Sequence, residues 1–153
     1  MDDALRYVAA KGAESEADYA YTARQGNCVY DQSKVKVRTS GLVNITPNSY
    51  DALLQAASVS VITLALDAYG IMSYTGGVFN GQCSNEMNHA VNVVGYGTDA
   101  QSKQPFWLMR NSWGSSWGEN GYFRLIRDQN PGTGICGMRQ RPYYPTFAKA
   151  EAF

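Results

Sequence analysis

The chain has one histidine, His89, the side-chain type that exchanges protons near neutral pH. It opens the run His89-Ala90-Val91-Asn92-Val93-Val94, whose apolar character reads as a strand. Farther along, Asn111 begins a turn rich in tryptophan and glycine, Asn111-Ser112-Trp113-Gly114-Ser115-Ser116-Trp117-Gly118. The side-chain carbonyl of an asparagine can accept the ring N–H of a histidine and so fix its tautomer and orientation, while a tryptophan shields that bond from water. With that pairing Asn111 would be the orienting residue of His89. A lone histidine beside an apolar strand is also a common structural residue, and the turn is equally describable as a glycine-rich hairpin pinned by stacked aromatics. The third chemical resource is sulfur. Three cysteines, Cys28, Cys83 and Cys136, make an odd number. Either two pair and one is left for another chain, or all three are reduced thiols.

These residues need elements to position them. A short amphipathic helix is expected from Met1 to Lys11, with Leu5 and Val8 on one face and Gly12 after its end. Its acidic Asp2-Asp3 suits a helix N-terminus. Residues 17–30 read as irregular, and Val35 to Val43 as a strand. Ser49, in Pro47-Asn48-Ser49, is placed to cap a second helix, Tyr50 to Ala57. Beyond it, Val59 to Leu66, Val91 to Tyr96, Phe106 to Met109 and Gly121 to Ile126 are short β-branched or aromatic runs separated by glycine-bearing turns, the pattern of an antiparallel sheet or barrel. The stretch with Pro131, Pro142 and Pro145 should be mostly extended. The fold class is α+β, with helices early and strands late.

Bulk composition narrows the function. The 153 residues suffice for one domain or a large part of a bigger one. Hydrophobic residues at 44% and charged residues at 17% place the chain among globular proteins. Thirteen basic side chains balance thirteen acidic ones, which argues against nucleic acid or an anionic membrane as partner. No apolar run is long enough to span a bilayer, and Met1-Asp2-Asp3-Ala4 lacks the features of a signal peptide. Gly95-Tyr96-Gly97 is a strand ending in a turn and not a nucleotide loop. No cofactor or metal is expected. Asn44-Ile45-Thr46 is a glycosylation sequon followed by Pro47.

Taken together, His89-Ala90-Val91-Asn92-Val93-Val94-Gly95-Tyr96-Gly97 and Asn111-Ser112-Trp113-Gly114-Ser115-Ser116-Trp117-Gly118-Glu119-Asn120-Gly121-Tyr122 resemble the papain family of cysteine peptidases, which includes the cathepsins. Met1 to Val8, Asp18-Tyr19-Ala20-Tyr21 (alanine replacing the family's proline), Leu66-Asp67-Ala68, Tyr74 to Val78 and Cys136-Gly137 follow in the family's order. The resemblance implies a helical left domain and a β-barrel right domain, here residues 1–43 as a partial left domain and 44–153 as the right domain. It implies that His89 pairs with a nucleophilic cysteine, that Asn111 orients His89 and that Trp113 covers their contact. A thiolate beside an imidazolium is held at low pKa and attacks a peptide carbonyl at mildly acidic pH. The resemblance further implies a Cys83–Cys136 disulfide. Closing such a loop contributes roughly 4 kcal/mol on a chain-entropy estimate. Ala65, Met87, Ala90 and Arg141 would be the right-domain walls of the main specificity pocket, apolar enough for leucine-, valine- or phenylalanine-like side chains. Arg141 would either accept an acidic group at the pocket's far end or snorkel past it to solvent.

The family nucleophile lies about 130–150 residues before the histidine. In this chain Cys28 and Cys83 precede His89 by 89 − 28 = 61 and 89 − 83 = 6 residues, and Cys136 follows it. None has the glutamine-and-tryptophan surroundings of the nucleophile. The chain is therefore expected to be the histidine-and-asparagine half of a thiol endopeptidase, inactive alone, with the cysteine on a separate or missing N-terminal segment. Cys28 would be joined to that segment or stay a free, reactive thiol. The early aromatic residues, Tyr7, Tyr19 and Tyr21 among them, should need cover from it. A lysosomal, vacuolar or secreted location is expected. The alternative is a non-catalytic papain-like subunit of a larger assembly.

Overall fold

The computed structural model describes residues 1–148. They fall into two compact units, Asn44–Tyr144 and the flanking chain of Met1–Val43 with the segment from Pro145.

In the flanking unit, α1 (Asp2–Lys11) carries Asp2 and Asp3 in its first turn and Lys11 in its last, each suited to the local end of the helix dipole. It stops at Gly12, whose φ of 86° is easy only for glycine and whose N–H donates to Val8 O. No residue of α1 is buried. Strand β1 (Ala13–Glu14) pairs antiparallel with β2 (Val35–Val37). Residues 17–30 have no regular structure, as expected. The strand expected over 35–43 is broken in two, because β2 ends at Val37 and β3 (Gly41–Asn44) begins after a gap. The side chain between them explains the break. Arg38 donates to Ala10 O and Lys11 O at 2.6 and 2.9 Å, satisfying carbonyls left over at the end of α1. Ser40 N then donates to Thr146 O, so the chain has changed its pairing partner.

In the unit Asn44–Tyr144, α2 (Tyr50–Ala57) starts as the sequence indicates. Ser49 Oγ accepts from Ala52 N and the buried side chains are Leu53 and Ala56. Val59 is not in a strand. It is 77% exposed, its N–H is used on Ala56 O, and β4 begins only at Ile62 (Ile62–Leu66). Strands β5 (Val78–Phe79), β6 (His89–Thr98), β7 (Pro105–Arg110), β8 (Tyr122–Ile126) and β9 (Tyr143–Thr146) complete a sheet ordered β9-β4-β6-β7-β8-β5. The α+β class holds. The β4–β6, β6–β7 and β7–β8 ladders are antiparallel, and β5 is the exception, running parallel to β8. Nothing in a two-residue strand distinguishes it by periodicity, which is why it escapes sequence reading. Residues 131–142 are less extended than their prolines suggest, since a 3-10 turn occupies Ile135–Gly137.

Alternation builds the core. Ile62, Leu64 and Leu66 face inward with 0% exposure, joined by Val91, Val93, Trp107, Met109, Phe123 and Leu125 from the next three strands. Burying one such side chain stabilises the fold by roughly 1.5–3 kcal/mol, an upper range because the unfolded chain is partly collapsed. A register shift in β6 at Val93/Gly95 leaves Val94 half-exposed and lets the strand bend.

Candidate active site

His89 is the first residue of β6 and pairs in register with Leu66, the last of β4. Its backbone is thus fixed by a ladder whose inward side is the core, and the half-buried imidazole lies at the end of that ladder. Asn111 directly follows β7 and is 9% exposed. Its N–H donates to Gly121 O, which closes the turn back toward β8.

These two positions bring His89 Nε2 and Asn111 Oδ1 to 2.8 Å. Ser112 N also donates to Asn111 Oδ1 at 2.8 Å. An oxygen already accepting from an amide is held as an acceptor, so Nε2 carries the ring proton and Nδ1 keeps a free lone pair for proton transfer. The indole of Trp113 lies over the imidazole, with ring centroids 4.9 Å apart and planes inclined by 31°. Trp113 meets Trp117 edge-on at 5.0 Å, and Trp117 meets the buried Phe123 edge-on at 5.6 Å. A continuous aromatic column therefore runs from the imidazole into the core.

The turn is held by two devices. Gly118 has φ 57°, and a Cβ there would come within 2.6 Å of Tyr122 O, so only glycine allows the crossing. Glu119 accepts from Arg124 through both oxygens and from Gly77 N, and Arg124 also reaches Asp99 at 2.5 Å. The Arg124 guanidinium lowers the Glu119 pKa, and hydrogen bonds from Ser102, then Arg124, lower that of Asp99. Sequence reading missed this network; the signal was the acidic residue inside a Gly-Glu-Asn-Gly turn.

Asp67 was also missed as a functional candidate. It is 3% exposed, immediately follows β4, and accepts from Tyr69 N, Ser84 N and Asn88 Nδ2 at 3.0, 2.6 and 3.0 Å. Hydrogen bonding from Ser84, then Tyr69, holds its pKa down to about 2. Asn88 is the residue before His89, and both line a hollow of about 210 Å³ with Ala68, Tyr69, Met72 and Trp113.

The remaining positions separate. Ala65 and Ala90 are partners across the β4–β6 ladder. Met87 is 37% exposed just before β6, and Arg141 is exposed. Cys83 and Cys136 form a disulfide with a Cα–Cα distance of 5.1 Å. Cys28 is free and exposed. Among the described residues, no helix is long and apolar enough to cross a membrane and no cluster of acidic, histidine and cysteine side chains could hold a metal.

Known proteins are similar to this chain in sequence and fold. A sequence model described as papain family cysteine protease matches residues 1–146. Vignain of Phaseolus vulgaris is 40% identical over 151 residues, covering 95% of this chain and 41% of that protein. Ananain of Ananas comosus is 39% identical over 140 residues, covering 91% of this chain and 40% of that protein. The chain thus spans about two-fifths of the length of these curated relatives. The structure of the bromelain protease from Ananas comosus in complex with the E64 inhibitor superposes with a TM-score of 0.87 at 36% identity, covering 96% of this chain and 69% of that one. Digestive procathepsin L 3 of Tenebrio molitor larval midgut gives 0.86 at 36% identity, covering 96% and 48%.

Proposed function

Because the chain belongs to the papain family of cysteine proteases, we propose that it supplies the histidine and asparagine of a thiol endopeptidase whose nucleophilic cysteine comes from another segment. The observation that carries this reading is the 2.8 Å His89–Asn111 hydrogen bond beneath Trp113. It leaves Nδ1 as the base that takes the thiol proton and later gives it to the leaving amine. Attack of the thiolate on the peptide carbonyl forms an acyl-enzyme and releases the amine; water then attacks, with Nδ1 taking its proton, and the carboxylate product leaves.

None of the three cysteines can be that nucleophile by sequence distance, and two of them are joined to each other. The nucleophile is therefore assigned to a preceding segment, on the same precursor or a separate chain, with Cys28 as the thiol available to bond it. Ala65 and Ala90, with Met87, are read as apolar walls that select leucine-, valine- or phenylalanine-like side chains. Arg141, which is exposed, is read as snorkelling past them to solvent. The disulfide suits an oxidising compartment, vacuolar, lysosomal or extracellular.

Intact-mass analysis of native material before and after reduction tests the assembly, and labelling with an epoxide inhibitor of cysteine proteases tests the chemistry. A companion segment carrying the labelled cysteine supports the reading. Native material with neither companion nor label overturns it and favours a non-catalytic subunit.

A further inference from the structure

Asp67 has a use that burial alone does not explain. A buried carboxylate is costly unless its lone pairs are filled. In this one they are filled by N–H groups and no cation: Tyr69 N and Asn88 Nδ2 on Oδ1, Ser84 N on Oδ2. Two of the three donors belong to residues beside the imidazole. Tyr69 and Asn88 line the hollow that His89 lines. Ser84 follows Cys83, and Asp67 N donates to O of Cys136, the other half of the disulfide.

Asn88 closes the arrangement. Its carboxamide donates to Asp67 Oδ1 while its own oxygen accepts from Ala68 N at 2.8 Å, and its backbone N–H donates to Leu66 O at 3.1 Å. Both ends of the amide are used, so the residue preceding His89 has one orientation. The Leu66–His89 pair is the last rung of the β4–β6 ladder, where strands fray unless tied down. The carboxylate and the amide supply that tie.

We infer that Asp67 is a positioning residue for His89, acting through Asn88 to hold the first residue of β6 at the geometry that the Asn111 bond requires. The inference rests on the peptidase reading for its kinetic consequence, but not for its structural one. Asp67→Asn keeps the shape and replaces an acceptor by a donor facing Ser84 N or Asn88 Nδ2. Asn88→Ala removes the bridge at an exposed position and leaves the other donors to Asp67 in place.

The test uses the native assembly. His89 is the only histidine of this chain, so with the ¹⁵N label confined to this chain the imidazole ¹⁵N and ¹H resonances report on it alone. Each substitution is expected to shift or broaden the Nε2–H signal. In the active assembly each should lower kcat by about tenfold, with KM changed less than about twofold, because misplacement of a catalytic group acts on the reacting geometry. Asp67→Asn should add little in the Asn88→Ala background, since both cut the same connection. Unchanged Nε2–H signals in both variants would overturn the inference, as would independent, multiplicative losses. If Asp67→Asn does not fold, the Asn88→Ala spectrum and kinetics decide alone. Should the unsubstituted assembly lack peptidase activity, the peptidase reading fails while the imidazole spectra still test the positioning.

Discussion

In the unit Asn44–Tyr144 four neighbouring strands put Ile62, Leu64, Leu66, Val91, Val93, Trp107, Met109, Phe123 and Leu125 into one core. In the flanking unit, α1 buries none of its residues, and Tyr7, Tyr19 and Tyr21 are 45%, 40% and 84% exposed. The first is held by apolar packing and a disulfide. The second is held by hydrogen bonds from Arg38, Tyr30 and Asp31 to nearby backbone or side chains. His89, Asn111 and Trp113 all lie in the packed unit, whereas the one free thiol lies in the sparse one. On the proposed reading, rigid geometry and attachment fall to different parts of the chain, since a hydrogen bond between two side chains tolerates little movement.

The largest effect should come from His89→Ala. In the active assembly kcat is expected to fall by about 10³–10⁴, with the melting temperature almost unchanged; an unaffected kcat would remove the site from the packed unit altogether. Next, exchanging both Cys83 and Cys136 for serine should lower the stability of the chain by about 4 kcal/mol in chemical denaturation, the loop-closure value. Leu64→Ala should cost about 3 kcal/mol by cavity formation, while Leu5→Ala in the exposed α1 should cost less than about 1 kcal/mol. Equal losses at the two leucines would break the contrast between the units.

A smaller effect follows from Asp67. Its folded-state pKa lies below its unfolded one, so the stability it contributes is present above about pH 4 and is lost as pH falls toward about 2. Denaturation midpoints of wild type and Asp67→Asn should converge over that interval and stay apart at neutral pH. The gentlest test is alkylation under native conditions without reductant. In the isolated chain Cys28 should react and the disulfide pair should not, and in the assembly protection of Cys28 would mark it as the joined thiol.

Much of the packed unit is legible in the sequence because its signals are local and redundant. The Ser49 cap, the alternation of β4 and the motifs around His89 and Asn111 each fix a short stretch, and the 2.8 Å bond between the last two is what their order implies. Val59 misled because apolar character continued past the C-cap of α2 into what looked like one strand. Val35 to Val43 misled because Arg38 is recruited to the end of α1, a tertiary use that no local pattern announces. Asp67 shows the same limit at the site. Its donors are spread from Tyr69 to Asn88, and only the fold converges them on one carboxylate.

All three tryptophans, Trp107, Trp113 and Trp117, fall between Asn44 and Tyr144, and the flanking unit has only tyrosine and phenylalanine as aromatic residues. Red-edge excitation of intrinsic fluorescence would therefore light up the site-bearing unit and leave the other dark. With the indole of Trp113 stacked on His89, an imidazolium would quench part of that emission. The chain carries its own optical gauge of the proton on its only histidine, readable without substrate or label.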